Sequence, residues 1–187
     1  MATTAIKPVR LASEGPPTVR RLEEDETETF LAGAPVMLNA GGFLAVWDAN
    51  VASLIAGIAN EGGANLTTEG TPETLSFGSV PHQTSAVKIP RGAPINDGRC
   101  GVTLATNRTV FKGQINPTGQ SLTQADVGAE YGLTADTDDN WFVDKTKTGA
   151  DAVVSVVGLD REEDILADAD RRGVYFRFIP EHVDLLA

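Results

Sequence analysis

The polar run at residues 136–147 has the greatest potential for metal chemistry. Asp136, Asp138 and Asn140 occupy positions 1, 3 and 5 of a calcium-loop pattern. That pattern needs glycine at position 6 and a bidentate carboxylate at position 12, where this chain has Trp141 and Lys147. Because the match fails at two positions, we predict an ordinary polar turn here rather than a calcium site.

Residues suited to nucleophilic or zinc chemistry are few. His82 and His182 lie far apart, and the single cysteine, Cys100, has no partner at a metal-ligand spacing. The sequence has no G-x-S-x-G elbow and no Walker phosphate loop. A lone cysteine cannot form an intramolecular disulfide, and we expect Cys100 to be a small buried residue. We therefore predict a protein that is not an enzyme and has no catalytic residues, metal ion or cofactor.

The charge balance restricts the class of partner. The chain has 26 acidic and 15 basic residues, for a formal net charge of −11. A field of that sign repels nucleic acid and anionic membranes. The sequence also has neither an apolar run long enough to span a membrane nor an apolar signal segment at its start. We expect no nucleic-acid partner and no membrane association.

Residues 1–28 differ in composition from the rest of the chain. They contain no aromatic residue, three prolines, four basic residues and an acidic run at 23–28. Such a segment cannot bury enough apolar surface to offset its ordering entropy. It is either a flexible tail or an extended N-terminal arm that becomes ordered along a partner. The residues that can pair with acidic groups of a partner are Lys7, Arg10, Arg20 and Arg21.

Residues 29–187 have the pattern of a β-domain. Short runs rich in β-branched and aromatic residues alternate with turns of Gly, Pro, Asn and Asp. Residues 51–59 fit either a helix or a strand, and we favour the strand because of the nearby glycines. Residues 123–126 predict a short helical turn with Thr123 or Ser121 as N-cap. The strongest predicted strands are 141–144, 152–159 and 173–179, with further candidates at 74–77, 86–89, 100–105 and 108–115.

About ten short strands with turns at this spacing indicate a small β-barrel or β-sandwich. No alternation of strands and helices supports a parallel α/β sheet. The sequence therefore predicts an all-β fold with at most one or two short helices, preceded by the arm at 1–28.

Several segments together resemble structural proteins encoded in tailed-phage head modules. The first is TFLAGAPVMLNAGGFLAVW, which is followed by LIAGIANEGGANL. The second group is YGLT at 131–134, DNWFVDKT at 139–146, VVSVVGLD at 153–160 and GVYFRFIPEH at 173–182. The resemblance covers roughly residues 29–182 and contains no catalytic signature. Within this group, the chain looks like a capsid decoration, or cement, protein.

The resemblance implies a location on the capsid surface of the virion. A decoration protein binds the major capsid protein at junctions between capsomers, often as a trimer or dimer. Two other interpretations remain open: a different virion component, such as a tail-tube or head–tail connector subunit, and a β-sandwich hydrolase or ligand-binding module. A carbohydrate site would need an aromatic face, and the chain has only two tryptophans.

Overall fold

The structure, a computed structural model, describes residues 6–9, 17–25, 27–63, 99–106, 108–116, 120–160 and 173–184. These residues form two curled antiparallel sheets, which confirms the prediction of an all-β fold. Their strands are β1 (Lys7–Val9), β2 (Val19–Glu23), β3 (Pro35–Leu38), β4 (Leu44–Val46), β5 (Gly57–Ala59), β6 (Arg99–Leu104), β7 (Val110–Gln114), β8 (Glu130–Ala135), β9 (Trp141–Asp144), β10 (Val154–Leu159) and β11 (Gly173–Phe178).

The six-stranded sheet has the order β1-β7-β11-β10-β8-β9. In its central pair, Val154 of β10 lies opposite Phe178 of β11, and the register shifts between Val156 and Gly158. Such a bulge bends a strand and increases its twist. Just beyond β7, Ile115 forms a bridge with Val143 of β9, so one part of the sheet curls back towards another.

The five-stranded sheet has the order β2-β6-β5-β3-β4. Just after β2, Glu24 forms a parallel bridge with Leu44 at the start of β4, and the Asp25 amide donates to the Leu44 carbonyl at 2.9 Å. The two outer strands of this sheet therefore meet at one point. Strand β5 confirms the predicted strand within 51–59, although only its last three residues belong to a strand.

The N-terminal segment contributes one edge strand to each sheet. Strand β1 pairs with β7, and β2 pairs with β6 over five consecutive residues. Ile6 is buried in the core. This arrangement differs from the predicted separation of an arm at 1–28 from the domain that follows. Edge strands gain their hydrogen bonds from the backbone, so a segment with few apolar side chains can still belong to a sheet.

Buried side chains from both sheets form one hydrophobic cluster. In the six-stranded sheet, the Phe176 ring lies 6.0 Å from Phe111 and 5.8 Å from Phe178 between centroids. Trp47, just after β4, contacts Trp141 of β9 at 5.6 Å between ring centroids. The two tryptophans therefore join the end of one sheet to the start of a strand in the other.

The C-terminal residues link the two sheets a second time. After β11, Val183 forms a parallel bridge with Ile55. The Ile55 amide donates to the His182 carbonyl at 2.8 Å, and the Asp184 amide donates to the Ile55 carbonyl at 3.0 Å. We call residues 182–184 with Ile55 the C-terminal clasp.

Helical structure in the described residues is limited to three single 3-10 turns, in keeping with the predicted all-β fold. The first confirms the predicted turn after Thr123, which is its N-cap. None of these helices is long or apolar enough to cross a membrane. The three 3-10 turns are Gln124–Asp126, Gly149–Asp151 and Pro180–His182.

The predicted strands at 74–77 and 86–89 lie outside the described residues, and so does His82.

Candidate partner-binding surface

The four predicted contact residues are distributed between the two sheets. Lys7 belongs to β1, opposite Lys112 of β7. Arg20 and Arg21 belong to β2, the edge strand of the other sheet, and Arg10 lies outside the described residues. The structure thus brings only Arg20 and Arg21 together, as neighbours on one strand.

Arg21 is held by the protein's own groups. Its guanidinium donates to the Glu61 carboxylate at 3.2 Å and to the Arg99 carbonyl at 2.7 Å. The same Glu61 oxygen accepts the Gly101 amide at 2.7 Å. Gly101 is the residue opposite Arg21 in the ladder, and a Cβ there would lie 3.3 Å from that oxygen. Arg21 therefore helps to join β2 to the region after β5.

Arg20 differs from its neighbour in its surroundings. It lies opposite Val102, a fully buried residue, so its side chain starts on the core side of the sheet. Arg20 is nevertheless exposed, and within the part of the chain that the structure describes its guanidinium has no hydrogen bond or ion pair. Arg20 is thus the one predicted contact residue on β2 whose charge is available to a partner.

The outer edge of β2 is open among the described residues, because β6 is the only strand paired along its length. The Leu104 amide donates to the Thr18 carbonyl at 2.9 Å. In an antiparallel ladder, the residues whose backbone groups face the partner strand alternate. The backbone groups of Arg20 and Leu22 therefore face β6, and those of Val19 and Arg21 face outwards.

Two exposed apolar side chains accompany this edge. Val19 is 55 % exposed and Phe43 is 43 % exposed. Phe43 ends the tight turn between β3 and β4, where the Asn39 side chain accepts the Phe43 amide at 3.0 Å. The bridge between Glu24 and Leu44 places this turn beside the end of β2. We call Val19, Arg20 and Phe43 with the open edge of β2 the β2 surface.

The sequence analysis missed Val19 and Phe43. Val19 lies between a proline pair and two arginines, so it looks like part of a tail. Phe43 follows two glycines, so it looks like the first residue of an ordinary strand. Only the pairing of β2 with β6 and the bridge to β4 places both along the same edge strand, with Val19 at its start and Phe43 beside its end. The pair of arginines after Val19 could have indicated an edge strand, since edge strands often carry charged side chains.

The strongest polar network lies away from the β2 surface and surrounds the buried carboxyl group of Asp126. That group accepts the Tyr131 hydroxyl at 2.6 Å, the Thr123 amide at 2.6 Å and the Lys145 ammonium at 2.8 Å. Burial alone raises the pKa of Asp126, but the bonds from Lys145, Tyr131 and Thr123 outweigh it and lower the pKa below its usual range. Burial and the same carboxylate raise the pKa of Tyr131 to about 12. The network fixes the turn that leads into β8.

Replacing Tyr131 with phenylalanine is expected to destabilise the protein by about 1–2 kcal/mol at pH 7, because a bond to a buried carboxylate is lost. The lowered pKa of Asp126 means that its contribution is present above about pH 4 and is lost as acid protonates the carboxylate. The difference in the free energy of unfolding between the Tyr131→Phe variant and the parent chain should therefore become smaller below pH 4. Urea unfolding at a series of pH values measures it, and a difference independent of pH would contradict this role for Asp126.

The other candidate chemical residues have structural surroundings. Cys100 is fully buried, as predicted, and burial is the main cause that raises the pKa of its thiol to about 12. Asp136 and Asn140 form the predicted polar turn, with the Asn140 amide donating to the Asp136 carboxylate at 2.9 Å. The His182 ring lies 3.0 Å from the Val51 carbonyl, next to the C-terminal clasp. Across the described ranges, no three His, Cys, Asp or Glu residues are grouped to hold a metal ion.

Comparison of the chain with family models, with curated proteins and with solved structures finds no match in any of the three.

Proposed function

We propose that this chain is a non-catalytic virion structural protein that binds the outer surface of a phage capsid and stabilises it between capsomers. The partner is the major capsid protein, and the binding element is the β2 surface. One observation carries the proposal: β2 is an edge strand with outward backbone groups at Val19 and, as far as the described residues show, an uncommitted cation at Arg20.

An open edge strand supports adhesion because it can accept another strand. In strand addition, backbone hydrogen bonds supply much of the affinity, and alternate side chains supply the specificity. Val19 and Phe43 add exposed apolar area beside that edge. A single surface ion pair contributes only about 0–1 kcal/mol to binding. Arg20 therefore contributes more to the specificity of binding than to its affinity.

The position of Arg20 narrows the kind of strand that fits. A charge on the core side of an edge strand discourages pairing with an apolar strand. A partner strand with a carboxylate near Arg20 removes that penalty and is therefore preferred. The segment of the capsid protein that binds here is expected to be extended and acidic. Several copies on one particle, or a trimer or dimer of this chain, would add avidity.

Replacing Val19 with proline tests strand addition directly. The Val19 amide faces away from β6, so proline removes an outward donor without breaking the ladder. We expect the Val19→Pro protein to fold but to bind expanded capsids at least tenfold more weakly, and to lose its effect on their melting temperature. Co-sedimentation and thermal unfolding of the capsids measure the two effects.

The matched control is Val19→Thr, which keeps the branched shape and the amide and should retain capsid binding. Arg20→Glu should also weaken binding, because it reverses the charge offered to an acidic strand. If Val19→Pro binds as tightly as the parent chain, strand addition at β2 is excluded. If the parent chain shows no binding to capsids, the proposed function itself is wrong.

A further inference from the structure

A cleft of about 260 Å³ lies at the junction of the two sheets, on the side of the tryptophan pair. Its wall is apolar and includes the half-exposed Leu31 and the small exposed parts of Trp47 and Trp141, which are otherwise buried. Two carboxylates, Asp48 and Asp139, also line it. The cleft therefore combines an apolar wall with negative charge.

The backbone is held in an unfavourable conformation at two places in this cleft. Ala49 and Asp139 have φ values of 59° and are the only non-glycine residues with positive φ in the described parts of the chain. The left-handed region costs a non-glycine residue roughly 1 kcal/mol or more, and such residues tend to occur at binding sites. Both of them line the same cleft. The presence of both residues in one cleft is an observation separate from the charge and the shape of the cleft.

The two carboxylates differ in what they bind. Asp48 accepts the Asn50 amide at 3.0 Å and the Ser53 hydroxyl at 3.1 Å, which fixes the loop after β4. Asp139 is exposed, and among the described residues its carboxylate has no hydrogen-bond or ion-pair partner. The strained backbone thus places a free carboxylate beside the tryptophan wall.

We propose that this cleft binds an arginine side chain of the partner protein. The methylene stem of arginine packs on apolar surface while its charged head stays at the edge. Its planar guanidinium pairs with carboxylates in a bidentate manner. Asp139 would take the guanidinium, and the wall formed by Trp47, Trp141 and Leu31 would take the stem. The proposal adds a second contact to the proposed function and rests on it only for the identity of the partner.

Tryptophan fluorescence of the intact chain provides the test, because Trp47 and Trp141 are its only tryptophans. The probe is acetyl-arginine-amide, and acetyl-norleucine-amide is the uncharged comparison. We expect a saturable change in fluorescence with the arginine probe in the millimolar range and none with norleucine. A lysine probe should bind more weakly, since its ammonium cannot form the planar contact.

The variant Asp139→Asn removes the charge and keeps a residue that tolerates positive φ. It should weaken binding of the arginine probe at least fivefold. Asp138→Asn is the matched control, because Asp138 is the neighbouring exposed carboxylate and does not line the cleft. It should bind the probe as the parent chain does.

Three results would overturn the inference: no saturable change with arginine, equal binding of norleucine, or equal losses in the two Asp→Asn variants. The Val19→Pro protein separates this inference from the proposed function, since it should still bind the probe. Binding of the probe without binding of capsids would exclude the proposed function alone. Binding of capsids without binding of the probe would exclude the arginine site alone.

Discussion

Replacing Phe176 with alanine is expected to destabilise the protein by about 3–5 kcal/mol, the usual cost of removing a buried aromatic side chain. Phe176 is fully buried in β11 and contacts the rings of both Phe111 and Phe178. Removal of the Phe176 ring leaves a cavity between the rings of Phe111 and Phe178. Because these two rings belong to separate strands, β7 and β11, the surrounding side chains cannot easily move in to fill the cavity. Because domains are stable by only about 5–15 kcal/mol, this loss should bring the transition near room temperature or abolish folding.

Urea unfolding followed by circular dichroism measures the loss. Phe43→Ala is the matched control, since this phenylalanine is 43 % exposed and lies in a turn. It should change the stability by no more than about 0.5 kcal/mol, the usual range for surface substitutions. Equal losses in the two variants would mean that the phenylalanine cluster is not the centre of the core.

Replacing Gly57 with alanine is expected to cost about 3 kcal/mol, at the upper end of the usual cost of overpacking. A Cβ at Gly57 would collide with the carbonyl oxygen of Thr103 and lie 2.8 Å from a methyl group of Val102. Both obstacles belong to β6, the neighbouring strand. The strands cannot separate without loss of the hydrogen bonds between them, so the added methyl group strains the middle of the five-stranded sheet.

Gly158→Ala provides the control for this substitution. Gly158 also lies in a strand, but a Cβ there would be 3.7 Å from the Tyr175 ring, an ordinary contact distance. Thermal unfolding should show a much lower melting temperature for Gly57→Ala and little change for Gly158→Ala. A similar decrease in both would show that the collision with β6 does not control the result.

The sequence was most informative where strands are apolar and pair with a neighbour in the chain. β9, β10 and β11 are rich in branched and aromatic residues, and the predicted strands there overlap the observed ones. The short turn after Thr123 was also predictable, because an N-cap residue acts locally.

Strands β1 and β2 were not predictable in the same way. Their residues are mainly charged or follow prolines, and their place in the sheets depends on partners about 80 to 100 residues away. The tryptophan cleft has the same origin, since Trp47 and Trp141 become neighbours only when the two sheets pack. Composition alone suggested Arg20 and Arg21 as contact residues but could not show that Glu61 holds Arg21.

The C-terminal clasp has a mechanical consequence, because it ties the two sheets together. Residues 182–184 follow β11 of one sheet after a single 3-10 turn, and they are bound to Ile55, just before β5 of the other sheet. A force applied to residues 182–184 therefore acts on both sheets at once. We infer that the two sheets melt as one cooperative unit.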